Sequence, residues 1–422
     1  MSGKDRPSSD SDDAFLLHVA EHAFRSETPD VIAVAVSGGS DSMALLSLFA
    51  RIQARRGGQL RAVTVDHRLR PEAADEAQAV TAFCQKINVP HDILVWDHGE
   101  ITGNLQDQAR RARYGLIGEW AQRSGIGHIV LGHTADDQAE TFLMGLAREA
   151  GIDGLSGMRP GWVESGIRWA RPYLLTPRSD LRQYLTRHGI SWIEDPSNAD
   201  DRFTRIKARR VLERLRPLGI SVEKLTGVVV NLGSARSALQ TATSDAAHRI
   251  ARAEAGAVIL DRVAFQALPA EISRRLLIGA LKWVSGQDYA PRQAALMRVQ
   301  EAVRGGRHTT LSGCRIHVST AEVQITREPK AVAGLEGSTD ALWDGRWRVN
   351  GPHGAGFTVR ALGNEGLRLC PDWRESGNSR AALIVSPAIW RDDTLISAPL
   401  TGFGAGWSVE IVADLHSFLL SH

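Results

Sequence analysis

A chain of 422 residues, 43% hydrophobic and 23% charged, has an ordinary globular composition and enough length for two or three domains. Its net charge is only +2, so no global field draws it onto nucleic acid, and any polyanion site has to be a local patch. No stretch is long and apolar enough to span a bilayer.

Met1–Asp13 is polar, lacks the apolar core of a signal peptide and reads as a disordered tail. Only six lysines occur, so 44 of the 50 cations are arginine, a bias that base composition explains and that also suits phosphate contacts. Cys84, Cys314 and Cys370 are widely spaced and no Cys-x-x-Cys occurs, so neither a zinc ribbon nor a cysteine-held cluster is indicated. An odd, sparse set of cysteines fits a reducing cytoplasm.

In chain order, the apolar run Val31–Val36 suits a strand buried on both faces. It stops at Ser37-Gly38-Gly39-Ser40-Asp41-Ser42, and a helix is expected from Met43. Leu60–Val65, Ile93–Trp96 and His128–His133 are further strands, interleaved with helices over Glu72–Asn88, Asn104–Arg123 and Asp136–Ala147. This alternation predicts a doubly wound α/β fold with a parallel sheet, whose ligands bind beyond the carboxyl ends of the strands. The glycine-rich 145–161 stretch reads as a mobile connection, Ile167–Leu174 as a strand ending in Arg171-Pro172, and Arg178–His188 as a helix. A turn at Asp195-Pro196-Ser197-Asn198 precedes Arg202–Arg216, which carries seven cations against one acid, Glu213. Helices are expected over Val222–Ala255, Glu271–Val284 and Arg292–Val303, then a hairpin from Thr309, then a Gly- and Trp-rich β texture. The domains read as 14–216, a mainly helical 217–330 and a smaller β-rich 331–422.

Four groups fall at strand ends: Ser37–Ser42, Asp66-His67, Trp96-Asp97 and His133–Asp137. The Gly/Ser loop from Ser37 to Ser42 joins a strand to a helix N-terminus, the geometry that binds phosphate, against a plain Gly/Ser turn. No Gly-Lys-Ser/Thr follows, and Asp41 stands where a cation would be expected; a carboxylate beside phosphates makes sense if it holds a divalent ion. Asp66-His67-Arg68-Leu69-Arg70 offers an acid for a ribose or base, or merely a capped basic turn. On the helix from Asn104, Arg110 and Arg113 share a face at i and i+3 and can reach one ligand, or form a solvated basic face. In His133-Thr134-Ala135-Asp136-Asp137-Gln138-Ala139-Glu140-Thr141, Asp137 and Glu140 lie one turn apart, suited to a metal or an ammonium group, or to capping the helix. The Arg202–Arg216 segment, with Arg205 and Arg209, reads as a solvated basic face or, given seven cations in a nearly neutral chain, as a site for RNA phosphate, and Arg205 suits a carboxylate as well as RNA.

Ser37–Ser42 resembles the SGGxDS loop of the N-type ATP pyrophosphatases. The ordered set SGGxDS, DHxLR, NLQxxARxxRY, HxxDDQxET, GxxGLxGM, RP and DPSN with a basic helix resembles the tRNA(Ile)-lysidine synthase family, here over about residues 31–216. Two departures stand out: Arg148-Glu149-Ala150-Gly151 replaces Arg-Gly-Ser-Gly, and Ile206 follows Arg205 where many members have Asn.

The resemblance implies an adenine nucleotide alpha hydrolase-like fold and a two-step reaction. ATP adenylates the C2 oxygen of the wobble cytidine of a tRNA(Ile) with a CAU anticodon, and free L-lysine then displaces AMP to give lysidine. It implies catalytic roles for Asp41, Arg113, Asp137 and Glu140, and ATP contacts from Ser37, Gly38, Gly39, Ser40, Asp41, Ser42, Asp66 and His133. Mg²⁺ would sit on Asp41, and substrate contacts would come from Arg110, Arg113, Asp137, Glu140, Arg205 and Arg209. A homodimer is compatible with it. The rival readings are a PP-loop tRNA thiolase, which the scattered cysteines disfavour, a small-molecule adenylating ligase, which leaves the basic segment unexplained, and a non-catalytic RNA-binding relative.

Overall fold

The computed structural model describes residues 9–421, apart from 25, 26, 28, 70, 71, 100–102, 104, 195–203 and 288. The chain divides into two compact units, Met1–Arg236 and Ser237–His422.

The first unit starts with α1 (Ser9–Glu21), which lies partly inside the stretch read as a tail. Its Leu16, Leu17 and Ala20 are buried, and Asp13 accepts from Arg187 at 2.7 Å; residues 9–13 are helical here, and residues 1–8 lie outside the described residues. The core is then β1 (Val31–Ala35), α2 (Ser40–Arg56), β2 (Gln59–Asp66), α3 (Ala73–Lys86), β3 (His91–Val95), α4 (Leu105–Arg123), β4 (His128–Leu131) and α5 (Ala135–Leu146). After these come α6 (Ile152–Leu155), β5 (Gly161–Glu164), β6 (Ile167–Ala170), α7 (Arg178–Arg187) and α8 (Thr204–Leu215).

The six strands form one sheet in the order β3-β2-β1-β4-β6-β5, all parallel except β5, which pairs antiparallel with β6. β1 is central, so its alternate side chains feed two cores. Ile32 and Val34 pack with α1, α2, α3 and α7, and Ala33 and Ala35 pack with α4 through Ile117 and Ala121. That two-sided burial is why the run is apolar without alternation. The strand order reverses between β1 and β4, and the crevice beyond their carboxyl ends is the expected ligand position.

The connection after α5 is more built than its glycines imply. It contains α6 and β5, and Met158 is fastened to α5 through both amide atoms of Gln138, Met158 N–H to Oε1 at 2.7 Å and Nε2–H to the Met158 carbonyl at 3.2 Å.

Helix α9 (Val222–Ile250) contains the boundary between the units. The second unit holds a five-stranded antiparallel sheet, ordered β7 (Ala251–Glu254), β8 (Ala257–Asp261), β11 (Glu322–Arg327), β10 (Cys314–Val318) and β9 (Thr309–Leu311). It packs against α11 (Ala270–Ser285) and α12 (Gln293–Arg304), with α10 (Arg262–Ala267) leading in. Beyond residue 331 lie a four-stranded and a two-stranded sheet around a tryptophan-rich core that includes Trp343, Trp347 and Trp390. No helix among the described residues is long and apolar enough to cross a membrane.

Candidate active site

Three helix N-termini converge on the crevice: α2 after β1, α5 after β4 and α7 after β6. The N–H groups of a first helical turn have no intrahelical acceptor, so each start presents donors and the positive end of a dipole. The starts of α5 and α7 are tied to each other. Ala135 N–H donates to the Thr176 carbonyl at 2.9 Å, and Arg178 N–H donates to Asp136 Oδ2 at 2.7 Å. Tyr184 on α7 bonds Ser47 on α2 at 2.8 Å, which fixes α7 beside the loop.

The loop itself is pinned by Ser42, whose Oγ donates to the Gly39 carbonyl at 3.0 Å and accepts from Ser37 N–H at 3.1 Å. α2 starts at Ser40, so Ser40, Asp41 and Ser42 form its first turn, earlier than the expected start at Met43. Gly38 has φ +82°, and a Cβ there would stand 2.7 Å from Ile193 Cδ1. Ile193 also donates its N–H to the Gly38 carbonyl at 2.9 Å, and the left-handed φ favours glycine at this close crossing.

Ser37, Asp41, Asp137 and Glu140 line one cavity of about 840 Å³, together with Arg113, Arg205 and Arg209. The sequence-derived candidates therefore meet, with exceptions. Arg110 is exposed and lies over the Tyr114 ring, 5.0 Å from its centroid, and does not line the cavity. Asp66 is outside the lining too; its Oδ1 accepts from Arg68 N–H at 2.8 Å, and the neighbouring His67 faces the cavity instead. His133 lies behind the lining, with Nδ1 buried and unpartnered. Asn104, Asp195–Asn198 and Arg202 lie outside the described residues.

The two acids of α5 differ in environment. Asp137 Oδ2 accepts from Thr134 N–H at 2.8 Å and from Thr134 Oγ1 at 3.0 Å, so this oxygen caps the helix. Its Oδ1 faces the cavity and accepts from Arg178 at 3.2 Å. Burial works to raise its pKa, but Arg178, Arg205 and the Thr134 N–H outweigh it and hold the carboxyl below the ordinary range. The Glu140 side chain is 1% exposed; Oε1 accepts from Arg209 at 3.0 Å, while Oε2 has no hydrogen-bond partner and only Arg205 at 3.8 Å. Burial and the nearby Asp137 charge push its pKa up. Burial also raises that of Asp41, despite Arg178. His133 is pulled down to about 3 by burial and stays neutral.

The main element missing from the sequence reading is Arg178. Its Nε donates to Asp41 Oδ2 at 2.8 Å, Nη2 to Asp137 Oδ1 at 3.2 Å, and Nη1 lies 3.6 Å from Glu140 Oε1. Burial alone would lower its pKa; the three carboxylates raise it instead. Arg182, one turn along α7 on the same face, donates to Ser40 Oγ at 3.3 Å. The available signal was this i, i+4 arginine pair on a helix whose other face, Leu181 and Leu185, is apolar.

A model of the PP-loop domain matches residues 16–215. The tRNA(Ile)-lysidine synthase of Ruegeria pomeroyi is 45% identical over 410 residues, covering 96% of this chain and 98% of that one. The chain belongs to the tRNA(Ile)-lysidine synthase family. The synthase of Brucella suis biovar 1 is 33% identical over 415 residues, covering 93% of this chain and 90% of its own. Both alignments extend through the second unit, well past the PP-loop domain. Among solved structures, the U34-tRNA thiolase NcsA of Methanococcus maripaludis aligns over 53% of this chain and 80% of its own, with 13% identity and a TM-score of 0.47.

Proposed function

We infer that this chain is an ATP-dependent ligase that joins free lysine to C2 of the wobble cytidine of a tRNA(Ile) with a CAU anticodon, giving lysidine. The observation that carries the reading is that one cavity is lined both by the phosphate loop and by the Asp137–Glu140 pair. A nucleotide and an amine substrate thus meet at one place.

ATP first transfers its adenylyl group to the C2 oxygen, and pyrophosphate leaves. The ε-amine of lysine then forms the C2–N bond, the C2–O bond breaks, AMP departs with the oxygen, and the amine gives up a proton. The two acids suit separate tasks, because their environments push their pKa values apart. Asp137, held ionised by its cap and its arginines, anchors the ammonium group. Glu140, raised by burial, accepts the proton as the bond forms. The Ser37–Ser42 loop and the start of α2 hold phosphate, and Arg113 adds positive charge from the cavity wall.

Asp41 also suits a divalent ion. Among the described residues no cluster of three or more His, Cys, Asp or Glu is placed to hold a metal. Asp41 would hold such an ion through a single carboxylate, in keeping with the few protein ligands that Mg²⁺ takes. When bound, the ion neutralises charge on the leaving pyrophosphate. On α8, Lys207, Arg210 and Arg214 are exposed and are assigned to the tRNA backbone, whereas Arg209 turns inward to Glu140.

A thiolation route through protein cysteines is disfavoured. All three cysteines are buried in hydrophobic cores, and burial pushes the thiols up, to about 11 for Cys84 and about 12 for Cys314. Incubation with ATP, labelled lysine and tRNA(Ile) of CAU anticodon, followed by nucleoside analysis, tests the reading. Label is expected on cytidine, and an unlabelled tRNA with ATP consumed overturns it.

A further inference from the structure

The reaction needs acids of the cavity for incoming cations, yet one guanidinium already stands against three of them, Asp41, Asp137 and Glu140. Arg178 bonds Asp41 in the phosphate loop and Asp137 on α5, and approaches Glu140. The three carboxylate side chains and the guanidinium are at most 16% exposed, so water screens these contacts poorly. A lysine ammonium would have to displace Arg178 from Asp137, and any ion on Asp41 would meet the Nε that occupies Oδ2.

The same side chain stands next to the place where phosphate is bound. Asp41 is in the first turn of α2, one residue from Ser40, and Arg182 on the same face of α7 already reaches Ser40. A polyphosphate in the loop presents a denser anion than a single carboxylate, with the paired oxygens that a guanidinium fork matches. The helix start is held independently through Arg178 N–H and Asp136, so the guanidinium can change partners by side-chain torsions alone while α7 stays in place.

We propose that Arg178 sets the order of binding: it closes the lysine acids in the nucleotide-free protein and exchanges them for the phosphates of ATP, so that lysine binds tightly only after ATP. The inference rests on the reading of this cavity as the meeting place of ATP and lysine. Once the guanidinium has moved, Asp137 Oδ1 loses its hydrogen bond and Glu140 keeps only Arg209 and Arg205 beside it, and an ammonium group replaces the charge that left. The order also suits the chemistry, since the amine has nothing to attack until the base is adenylated.

The test measures binding without turnover. Labelled lysine is dialysed against the full chain, alone and with Mg²⁺ and the analogue AMPCPP, whose α–β bond cannot be cleaved. In the wild type the analogue is expected to tighten lysine binding by about tenfold or more, and lysine to tighten the analogue by the same factor, as linkage requires. In Arg178→Gln, lysine is expected to bind without nucleotide about as well as it binds the loaded wild type, and the coupling factor falls to about one. Arg178→Lys, whose single ammonium cannot span three carboxylates, is expected to show reduced coupling and covers a failure of the glutamine variant to fold. A wild-type lysine affinity indifferent to the analogue, or full coupling in either variant, overturns the proposal. If lysine and analogue both bind but independently, only the ordering fails; if lysine never binds, the functional reading fails and takes the ordering with it.

Discussion

Arg209 donates from Nε to Oε1 of Glu140 at 3.0 Å, turning one cation of the basic α8 segment into the cavity. Arg209→Gln is therefore expected to slow lysine transfer while leaving the salt dependence of tRNA binding unchanged. Loss of a neighbouring cation removes an influence that lowers the Glu140 pKa, so its carboxyl rises further and the acid limb of the transfer rate moves to higher pH. A salt slope shallower by about one unit, with an unmoved pH profile, would place Arg209 on RNA phosphate instead.

Asp41→Asn keeps the shape of the loop and removes its charge. Pyrophosphate release is expected to fall by at least about a hundredfold, with tRNA affinity little changed. Near wild-type release at saturating Mg²⁺ would sink the phosphate-side role.

Asp137→Asn should separate capping from chemistry. An asparagine oxygen can still accept from Thr134 N–H, so the cap survives, while the bond from Arg178 is lost. Lysine transfer is expected to drop far more than adenylation in single-turnover measurements. Equal losses in both half-reactions would assign the residue to ATP or to folding.

His133 gives a stability signature. Burial holds it at about 3 in the native state against an ordinary 6.5, so the unfolded chain binds the extra proton between these values. Its contribution is complete above 6.5 and is lost as pH falls towards about 3, at no more than about 1.4 kcal/mol per pH unit. Melting curves of wild type and His133→Asn should therefore converge between about pH 7.5 and about pH 5. Parallel curves would contradict the buried neutral imidazole.

Gly38→Ala forces a side chain into φ +82° and against Ile193. A loss of more than about 1 kcal/mol in stability and weaker nucleotide binding are expected, measured by denaturant titration and analogue binding. An unperturbed variant would show that the 190–194 crossing is not seated on the loop.

The α/β core was legible because buried parallel strands are written as unbroken apolar runs: Val31–Val36 became β1 almost residue for residue. The loop and the Asp137–Glu140 pair were legible because both sit at strand ends, where chain order alone places them in one crevice. Arg178 was not, because its partners come from two other helices and no local spacing links it to them. Arg110 shows the limit of helical-face arguments. Sharing a face with Arg113 fixes an angle about the helix axis, but not which end of the face the cavity reaches. β5 was missed because Gly161–Glu164 is a four-residue edge strand after a glycine-rich stretch, with too few residues to show alternation.

Asp137 commits its two oxygens to different neighbours, one to the start of a helix and one to the cavity. Such a position has no conservative substitute. Asparagine preserves the architecture and loses the charge, and glutamate preserves the charge and displaces it by a methylene from the capping geometry. Variation in this enzyme is thus expected to run around position 137 and not through it. Engineering for a different amine has to begin with the residues that surround this carboxylate, since the carboxylate itself is fixed by the helix it opens.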